Sequence, residues 1–189
     1  AMAFAPQGRV FGPYNALFLG LNGQGVFKTD ENAASWLPWN QGLPYRTITT
    51  LERGPKRLYA GTVKGLFFME DEIKGWQPCS KGLRNTHVYS LAVVDPEGKT
   101  LYLGAGPFEG RVGRFASLPP SVYKSTDHAQ TWTPCGKGLP EGTLIYDMAV
   151  HPRSPQKVFL GTSQGVYRST DGGATWLHEE AGLSASFKA

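Results

Sequence analysis

Short runs in which apolar and polar side chains alternate recur along the chain in a fixed order. In each repeat, a run that ends in glycine is followed by a second run that contains valine or leucine and an aromatic residue. Only a few residues separate the two runs in three of the four repeats. The first kind lies at 17–20, 58–61, 101–104 and 158–161, and the second at 25–28, 65–68, 121–124 and 165–168. A further apolar run precedes them at 47–51, 88–94 and 144–150. Alternation with period two predicts β-strands, and no stretch has convincing helical periodicity.

A tryptophan and a glycine–leucine pair mark the end of each of four repeats. Trp36, Trp76, Trp132 and Trp176 are each followed seven residues later by a leucine, which itself follows a glycine. The tryptophans are 40, 56 and 44 residues apart. Four strands in a period of about 40–50 residues are typical of a β-propeller blade. The sequence therefore predicts an all-β protein of four-stranded antiparallel blades, with repeats at about 10–43, 44–83, 84–139 and 140–183 of a single domain, 1–189.

The turn before the last tryptophan carries a specific motif, Ser169-Thr-Asp171-Gly-Gly173-Ala-Thr-Trp176. It resembles the Asp-box (BNR) repeat, Ser-x-Asp-x-Gly-x-Thr-Trp, of sialidases, sortilin-type receptors, xyloglucanases and photosystem II assembly factors. The third repeat keeps Ser125, Asp127 and Trp132 of this motif, the second keeps Asp71 and Trp76, and the first keeps Trp36.

This resemblance implies a β-propeller in which the boxes lie on the rim, away from the ligand face. The carboxylate and hydroxyl of each box are suited to accept hydrogen bonds from backbone N–H groups of the turn. The tryptophan is expected to pack between neighbouring sheets. We therefore interpret the boxes as structural rather than as catalytic or metal-binding groups.

The two ends of the repeat array leave its closure open. Residues 4–14 are interrupted by glycine and proline, so the first repeat has no clear first strand. Residues 184–189 follow the last repeat where a further strand would begin, and are a candidate closing strand. Either this tail closes a four-bladed ring by pairing with the first repeat, or the chain is part of a larger propeller or a half-ring that forms a homodimer. Open blade edges are an aggregation hazard, which favours some form of closure.

Composition narrows the function only a little. The 189 residues carry a net charge of +4 with no run of five basic residues, which gives little support to nucleic-acid binding. No segment approaches the roughly 18 consecutive apolar residues of a membrane span. Residues 1–3 look like a cloning remnant, and an extracytoplasmic location is favoured only if a native leader was removed. Cys79 and Cys135 occupy equivalent positions in neighbouring repeats, beyond disulfide reach, so we expect two free thiols.

The best candidate binding site is an expanded connection between the second and third strands of the third repeat, at 107–120. Long loops often carry function, and in a propeller the loops at this end form the usual ligand face. The candidate ligand-binding residues are Phe108, Arg111, Arg114 and Phe115 from this loop and Arg46, Arg84 and His87 from the segments between repeats, with Tyr45, Tyr89 and Tyr146 nearby. Arginines interleaved with aromatic residues suit a protein surface or a carbohydrate or anionic ligand.

We interpret the chain as a non-catalytic binding or assembly module. The alternative is a glycoside hydrolase of sialidase or xyloglucanase type, whose acidic candidates on the same face are Asp147, Glu141 and Glu109. The Arg-Ile-Pro motif of sialidases is absent, and Asp147 is more simply interpreted as a hydrogen-bonding residue of a strand. The histidines lack metal-ligand spacing and no CxxC or phosphate-loop motif occurs, so neither a metal nor a cofactor is predicted.

Overall fold

The computed structural model describes residues 16–29, 34–83, 87–106 and 122–179, and the backbone of residues 2–4. All regular secondary structure in these residues is β-strand, which confirms the predicted all-β class. The strands are β1 (Met2–Phe4), β2 (Leu17–Leu21), β3 (Gly25–Thr29), β4 (Leu37–Pro38), β5 (Ile48–Arg53), β6 (Leu58–Thr62), β7 (Gly65–Met69), β8 (Gln77–Pro78), β9 (His87–Val93), β10 (Leu101–Gly106), β11 (Val122–Ser125), β12 (Thr133–Pro134), β13 (Ile145–Val150), β14 (Val158–Thr162), β15 (Gly165–Ser169) and β16 (Leu177–His178).

The described strands form four antiparallel sheets, each made of four consecutive strands. We number these sheets as blades 1–4 and name their strands A to D in chain order, so that β1–β4 form blade 1 and β13–β16 form blade 4. Neighbouring strands pair directly, as where Gly20 of strand B lies opposite Val26 of strand C. The predicted architecture of four-stranded antiparallel blades is therefore confirmed.

Strand A of blade 1 comes from a segment in which the sequence predicted no strand. β1 pairs with β2 and places Ala3 opposite Phe18. A strand of three residues is too short to show an alternating pattern, so the sequence did not reveal it. The candidate closing strand at 184–189 lies outside the described residues and stays a prediction.

The hydrophobic core lies between successive blades. Three clusters of buried side chains fill the spaces between blades 1 and 2, 2 and 3, and 3 and 4. Strand B is buried along its whole length in blades 2 and 3 because both faces of these sheets are covered. Strand D is outermost and exposed in all four blades. The chain therefore gains most of its buried apolar surface from blade-to-blade packing.

Each of the first three blades has a glycine in strand B where strand A of the next blade crosses it. A Cβ at Gly20 would lie 2.4 Å from Ile48 Cγ2, and one at Gly104 would lie 2.7 Å from Ile145 Cγ2. At Gly61 the Val88 side chain would be 2.7 Å away. In these three blades, the glycine that ends the alternating run is therefore needed for close packing against the next blade.

Three of the four repeat tryptophans are buried between blades, as predicted. Trp76, Trp132 and Trp176 are at most 4% exposed, whereas Trp36 is half-buried. Each buried indole N–H donates to a backbone carbonyl of the preceding blade: Trp76 to Trp39, Trp132 to Cys79, and Trp176 to Cys135, over 2.8, 2.8 and 2.6 Å. Each acceptor lies three residues after the tryptophan of its own blade. The sequence repeat is thus the repeat of this contact.

Both cysteines are free thiols, as expected. Cys79 is buried and Cys135 is half-buried. Their backbone N–H groups donate to the carbonyls of Leu66 and Val122, both over 2.9 Å. Each cysteine therefore extends the pairing of strand D with strand C.

Candidate functional site

Two sets of loops meet at one end of the blades. Because successive strands run in opposite directions, the turns between strands B and C lie at the same end as the connections from strand D to the next strand A. Backbone hydrogen bonds join the two sets, from Gly25 N–H to the Arg46 carbonyl (2.8 Å) and from Ser163 N–H to the Leu144 carbonyl (3.0 Å). We call this end the loop face. The predicted site residues Arg84, Phe108, Glu109, Arg111, Arg114 and Phe115 lie outside the described residues, and their place on this face stays a prediction.

Tyr45 and Arg46 lie on the loop face between blades 1 and 2, and both are exposed. Tyr45 remains 39% exposed although its ring lies 6.3 Å from that of Phe67 in blade 2. The hydrogen bond from Gly25 holds the backbone of Arg46. This pair therefore presents a ring and a guanidinium to solvent from a fixed backbone.

His87 and Tyr89 form an aromatic stack between blades 2 and 3. Their ring centroids are 4.3 Å apart and the planes differ by 15°. His87 is only 9% exposed, so burial limits what it offers to a ligand. A Cβ at Gly106 would lie 2.7 Å from the Tyr89 ring. Tyr89 thus covers the point at which the chain leaves β10 for the predicted binding loop.

A β-bulge in strand A brings an additional residue to the loop face in blades 2, 3 and 4. The pairing with strand B skips Thr49, Tyr89 and Tyr146. Bulges redirect side chains and are frequent beside functional sites, and Tyr146 is 50% exposed. The sequence analysis missed these bulges. The available signal was a spacing of three rather than two between inward-facing residues, in the pairs Ile48 and Leu51, Val88 and Leu91, and Ile145 and Met148.

The described carboxylates of the loop face are bound into the fold or exposed to solvent. Asp147 is exposed, and its Oδ1 accepts hydrogen bonds from the backbone N–H of Met148 (2.8 Å) and the hydroxyl of Ser90 in blade 3 (3.2 Å). Glu141 is exposed, and its backbone carbonyl accepts from the Gln164 side chain over 3.3 Å. Asp147 therefore links blades 3 and 4.

The turns between strands C and D lie at the opposite end of the blades. In blade 4 the Ser169 hydroxyl donates to Asp171 and accepts from Gly173 N–H, both over 2.8 Å, and Thr175 N–H donates to Asp171 over 2.9 Å. Blade 3 repeats these contacts with Ser125, Asp127, Ala129 and Thr131. The carboxylates are used within the turns, in agreement with a structural role.

The corresponding turn of blade 2 is less regular. In blade 2 the Asp71 carboxylate accepts from Ile73 N–H over 2.8 Å. Met69 replaces the serine and is 1% exposed in the core. In blade 1, residues 30–33 lie outside the described part of the chain. The acidic residue alone is therefore sufficient for a hydrogen-bonded turn.

A cavity of about 160 Å³ lies between blades 2 and 3, near the turns opposite the loop face. Arg57, Glu70 and His128 contribute to its lining. The Arg57 side chain donates to Glu70 over 2.7 Å and to the His128 carbonyl over 2.8 Å. Because Arg57 is hydrogen-bonded to Glu70 and to the His128 backbone, we assign this cavity a structural role.

The described residues contain no group of three histidine, cysteine, aspartate or glutamate side chains placed to hold a metal ion. Across the same ranges, no helix has the length and apolar character that a membrane span requires.

No protein-family model matches the chain, and no curated protein matches it. Solved structures do resemble it. An ancestral GH74 enzyme gives a TM-score of 0.76 at 19% identity, over 98% of this chain and 24% of that chain. The GH74 xyloglucanase of Xanthomonas campestris gives 0.61 at 20% identity, over 93% and 30%. YCF48 bound to a D1 peptide gives 0.58 at 18% identity, over 87% and 50%.

The chain has the β-propeller fold, and its described strands form four blades. It spans between about a quarter and a half of the length of these propellers. Because the similar structures include both GH74 enzymes and a peptide-bound protein, the propeller fold alone does not decide between hydrolysis and binding.

Proposed function

We propose that the chain is a non-catalytic binding or assembly module that uses its loop face. The observation that carries this proposal is the exposure of Tyr45, Arg46 and Tyr146 on that face. The backbone of Arg46 is held by the hydrogen bond from Gly25 N–H, and Tyr146 lies at a bulge. Tyrosine rings and arginine provide contact area and directed hydrogen bonds, and they dominate binding energy in many interfaces. The His87–Tyr89 stack lies beside Gly106, after which the proposed binding loop begins.

The ligand is proposed to be a protein segment or a carbohydrate that carries anionic groups. Arg46 lies on this face, and we propose that Arg84, Arg111 and Arg114 join it there. A guanidinium binds carboxylate or sulfate through two parallel hydrogen bonds. Tyrosine rings stack on the apolar faces of sugars or side chains. The resemblance to YCF48 bound to a D1 peptide supports a peptide ligand for a propeller of this kind.

We also propose that the four repeats are Asp-box repeats. The support is the shared hydrogen-bond pattern of the turns in blades 3 and 4. The tryptophan that follows each turn packs on the preceding blade. The turns of blades 1 and 2, whose sequences keep fewer residues of the motif, are then eroded copies of the same repeat.

A glycoside hydrolase of sialidase or xyloglucanase type is the second candidate. The GH74 enzymes among the similar structures and the exposed Asp147 favour it. A xyloglucanase-type enzyme needs two carboxyl groups, roughly 6.5–9.5 Å apart across the sugar if it inverts. Asp147 would have to act with Glu141 or Glu109. We place binding first because Asp147 already accepts hydrogen bonds from Ser90 and Met148.

Binding is tested by screening acidic peptides and sialylated or sulfated oligosaccharides against Arg46→Ala and Tyr146→Ala variants. Each variant is expected to weaken binding of a captured probe about tenfold, as for residues at the centre of an interface. The melting temperature should hardly change, because both residues are exposed. Ile73→Ala is the control, since Ile73 is 86% exposed at the opposite end of the blades.

Two outcomes would contradict the binding proposal. One is that no probe binds the unaltered chain. The other is that an Arg111→Ala/Arg114→Ala double variant loses stability, because the 107–120 loop would then be structural. Turnover of aryl sialosides or xyloglucan oligosaccharides, lost in Asp147→Asn or Glu141→Gln at unchanged melting temperature, would replace binding by hydrolysis.

A further inference from the structure

The packing between successive blades follows one pattern three times in the described chain. Each blade contributes a trailing face, defined by the second residue of strand B, its glycine, and the strand C residue that pairs with this glycine. These residues are Phe18, Gly20 and Val26 in blade 1, Tyr59, Gly61 and Leu66 in blade 2, and Tyr102, Gly104 and Val122 in blade 3, and all nine are buried. The next blade covers each trailing face.

The covering surface also repeats. We define the leading face of a blade by the first and third residues of the apolar run in strand B, the aromatic residue of strand C, and the tryptophan after the C–D turn. In blades 2 to 4 these positions hold Leu58, Ala60, Phe67 and Trp76; Leu101, Leu103, Tyr123 and Trp132; and Val158, Leu160, Tyr167 and Trp176. All twelve are at most 6% exposed.

The trailing face of blade 4 departs from this pattern. Phe159 and Val166, at the positions of Phe18 and Val26, are only half-buried. Gly161 is half-buried too, and among the described atoms a Cβ there would meet only the Asp147 carbonyl oxygen, at 4.0 Å. The groove that receives a neighbouring strand A in the other blades is thus present here and is not filled by a described residue.

The leading face of blade 1 departs from the pattern in the complementary way. Leu17, Leu19, Phe27 and Trp36 are all half-buried. Strand β1 contacts β5, β5 contacts β9, and β9 contacts β13. Among the described strands, β13 has no contact of that extent with β1 or β2. The trailing face of blade 4 and the leading face of blade 1 therefore do not pack against each other through these strands.

We propose that the trailing face of blade 4 binds the leading face of blade 1 of a second copy of this chain. Two such contacts complete a ring of eight blades. The contact continues an interface that the chain already forms three times, so both its shape and its polar partners are specified. Joining unlike faces gives either a ring or an open filament. Propellers typically have four to eight blades. Two copies of these four blades give eight, and a larger number of copies would exceed that range.

The polar partners of the proposed contact follow from the tryptophan positions. The buried indoles donate to the residue three positions after the tryptophan of the preceding blade, as Trp176 does to Cys135. By the same rule, Trp36 of one copy would donate to the backbone carbonyl of Glu179 of the other. The half-buried state of Trp36 in one chain is consistent with this role. The proposal concerns assembly and is independent of the loop-face ligand.

Solution mass measured by light scattering over a range of concentrations is the direct test. We expect twice the mass of one chain. Gly161→Val should give the single-chain mass, because a side chain at this position in the other blades would lie within 2.4–2.7 Å of the covering strand. Its monomer should keep the β-sheet circular dichroism spectrum of the unaltered chain, since the added methyl groups enter an unfilled groove. Leu177→Lys, on the exposed strand D, is the control and should keep the doubled mass.

Mixing experiments test whether unlike faces are joined. Leu19→Lys blocks the leading face and Gly161→Val the trailing face, so each variant alone should be monomeric. An equimolar mixture should recover one contact and form a dimer that neither variant forms alone. Val166→Lys provides a second trailing-face variant should Gly161→Val fold poorly.

Three results would overturn the proposal. If the unaltered chain has the mass of one copy at all concentrations, the two faces do not bind each other. They would then pack against other blades of a longer polypeptide. If the unaltered chain is itself a monomer and Gly161→Val lowers its melting temperature, the groove at Gly161 is filled within one chain. A doubled mass that persists in both trailing-face variants would place the dimer contact elsewhere.

Discussion

The indole Nε1 of Trp132 in blade 3 donates a buried hydrogen bond to the backbone carbonyl of Cys79 in blade 2, over 2.8 Å. The backbone N–H of Trp132 also donates to the Lys81 carbonyl over 3.0 Å. Blade 3 is thus attached to blade 2 at two points of one connecting segment. Trp76 and Trp176 make the same pair of contacts with their preceding blades.

Trp132→Phe separates the hydrogen bond from most of the ring packing. We expect the free energy of unfolding to fall by about 2–4 kcal/mol, because the Cys79 carbonyl loses its donor and the smaller ring leaves space. Urea denaturation followed by circular dichroism measures this change. Leu177→Ala is the control, since Leu177 is 61% exposed and should contribute less than about 0.5 kcal/mol. Equal effects of the two substitutions would contradict the proposed role of the indole.

Gly138→Ala tests the close approach of blades 3 and 4, at the segment equivalent to the one that Trp132 contacts. Gly138 has φ of 96°, and a Cβ there would lie 2.3 Å from the Trp176 carbonyl oxygen. Gly23, at φ of 77°, has no atom within 4 Å of the same position and isolates the backbone strain. We expect Gly23→Ala to cost about 1 kcal/mol, and Gly138→Ala clearly more because a backbone atom must move. Chemical denaturation of both variants measures the loss of free energy of unfolding. Similar losses in the two variants would show that the blades can move apart at this point with little loss of stability.

The tryptophan repeat made the blades predictable because one sequence spacing corresponds to one physical contact. Trp76, Trp132 and Trp176 each require a carbonyl three residues after the preceding tryptophan, so that spacing is visible in the sequence. Tyr146 was named near the candidate site, but its bulge was missed because one additional residue in a short strand resembles ordinary variation in length. β1 was missed because three residues carry too little pattern.

The site could be predicted only in part. The end of the blades at which Tyr45 and Arg46 lie was predictable, because strand order alone fixes which loops meet, whereas their part in binding stays a prediction. The burial of His87 could not be foreseen, since it depends on the stack with Tyr89. The exposure of a charged loop residue likewise depends on contacts that strand order does not define.

Acid stability should depend on the two carboxylates of the C–D turns. The Thr175 hydroxyl and N–H and the Ser169 hydroxyl lower the pKa of Asp171 to about 2. For Asp127, burial alone would raise the pKa, but hydrogen bonds from Thr131 and Ser125 outweigh burial and lower it to about 2. An unfolded aspartate has a pKa of about 3.9. The carboxylates therefore stabilise the fold fully above that pH, and this contribution is lost as the pH falls towards 2.

Asp171→Asn is expected to lower the melting temperature at neutral pH and to reduce its dependence on pH between about 4 and 2. Asparagine keeps an acceptor for Thr175 N–H but does not titrate. Thermal melts at closely spaced pH values measure both effects. Ser169→Ala is the matched control, because it removes one hydrogen bond and should raise the pKa of Asp171 while retaining the carboxylate. An unchanged pH dependence in Asp171→Asn would contradict the role of this residue.

The two thiols should report on separation of the blades. Burial raises the pKa of Cys79 and of Cys135 to about 12 in each case, with Arg57 and Lys124 opposing the shift. At pH 8 the reactive thiolate is then on the order of one thiol in ten thousand. We expect neither cysteine to react readily with Ellman's reagent in the folded chain, and both to react quickly in concentrated guanidinium. In a Cys135→Ser background, Trp132→Phe should accelerate labelling of Cys79, because it removes the contact that holds blade 3 over that residue. Rapid labelling of the folded, unaltered chain would show that the blade interfaces open far more often than their packing implies.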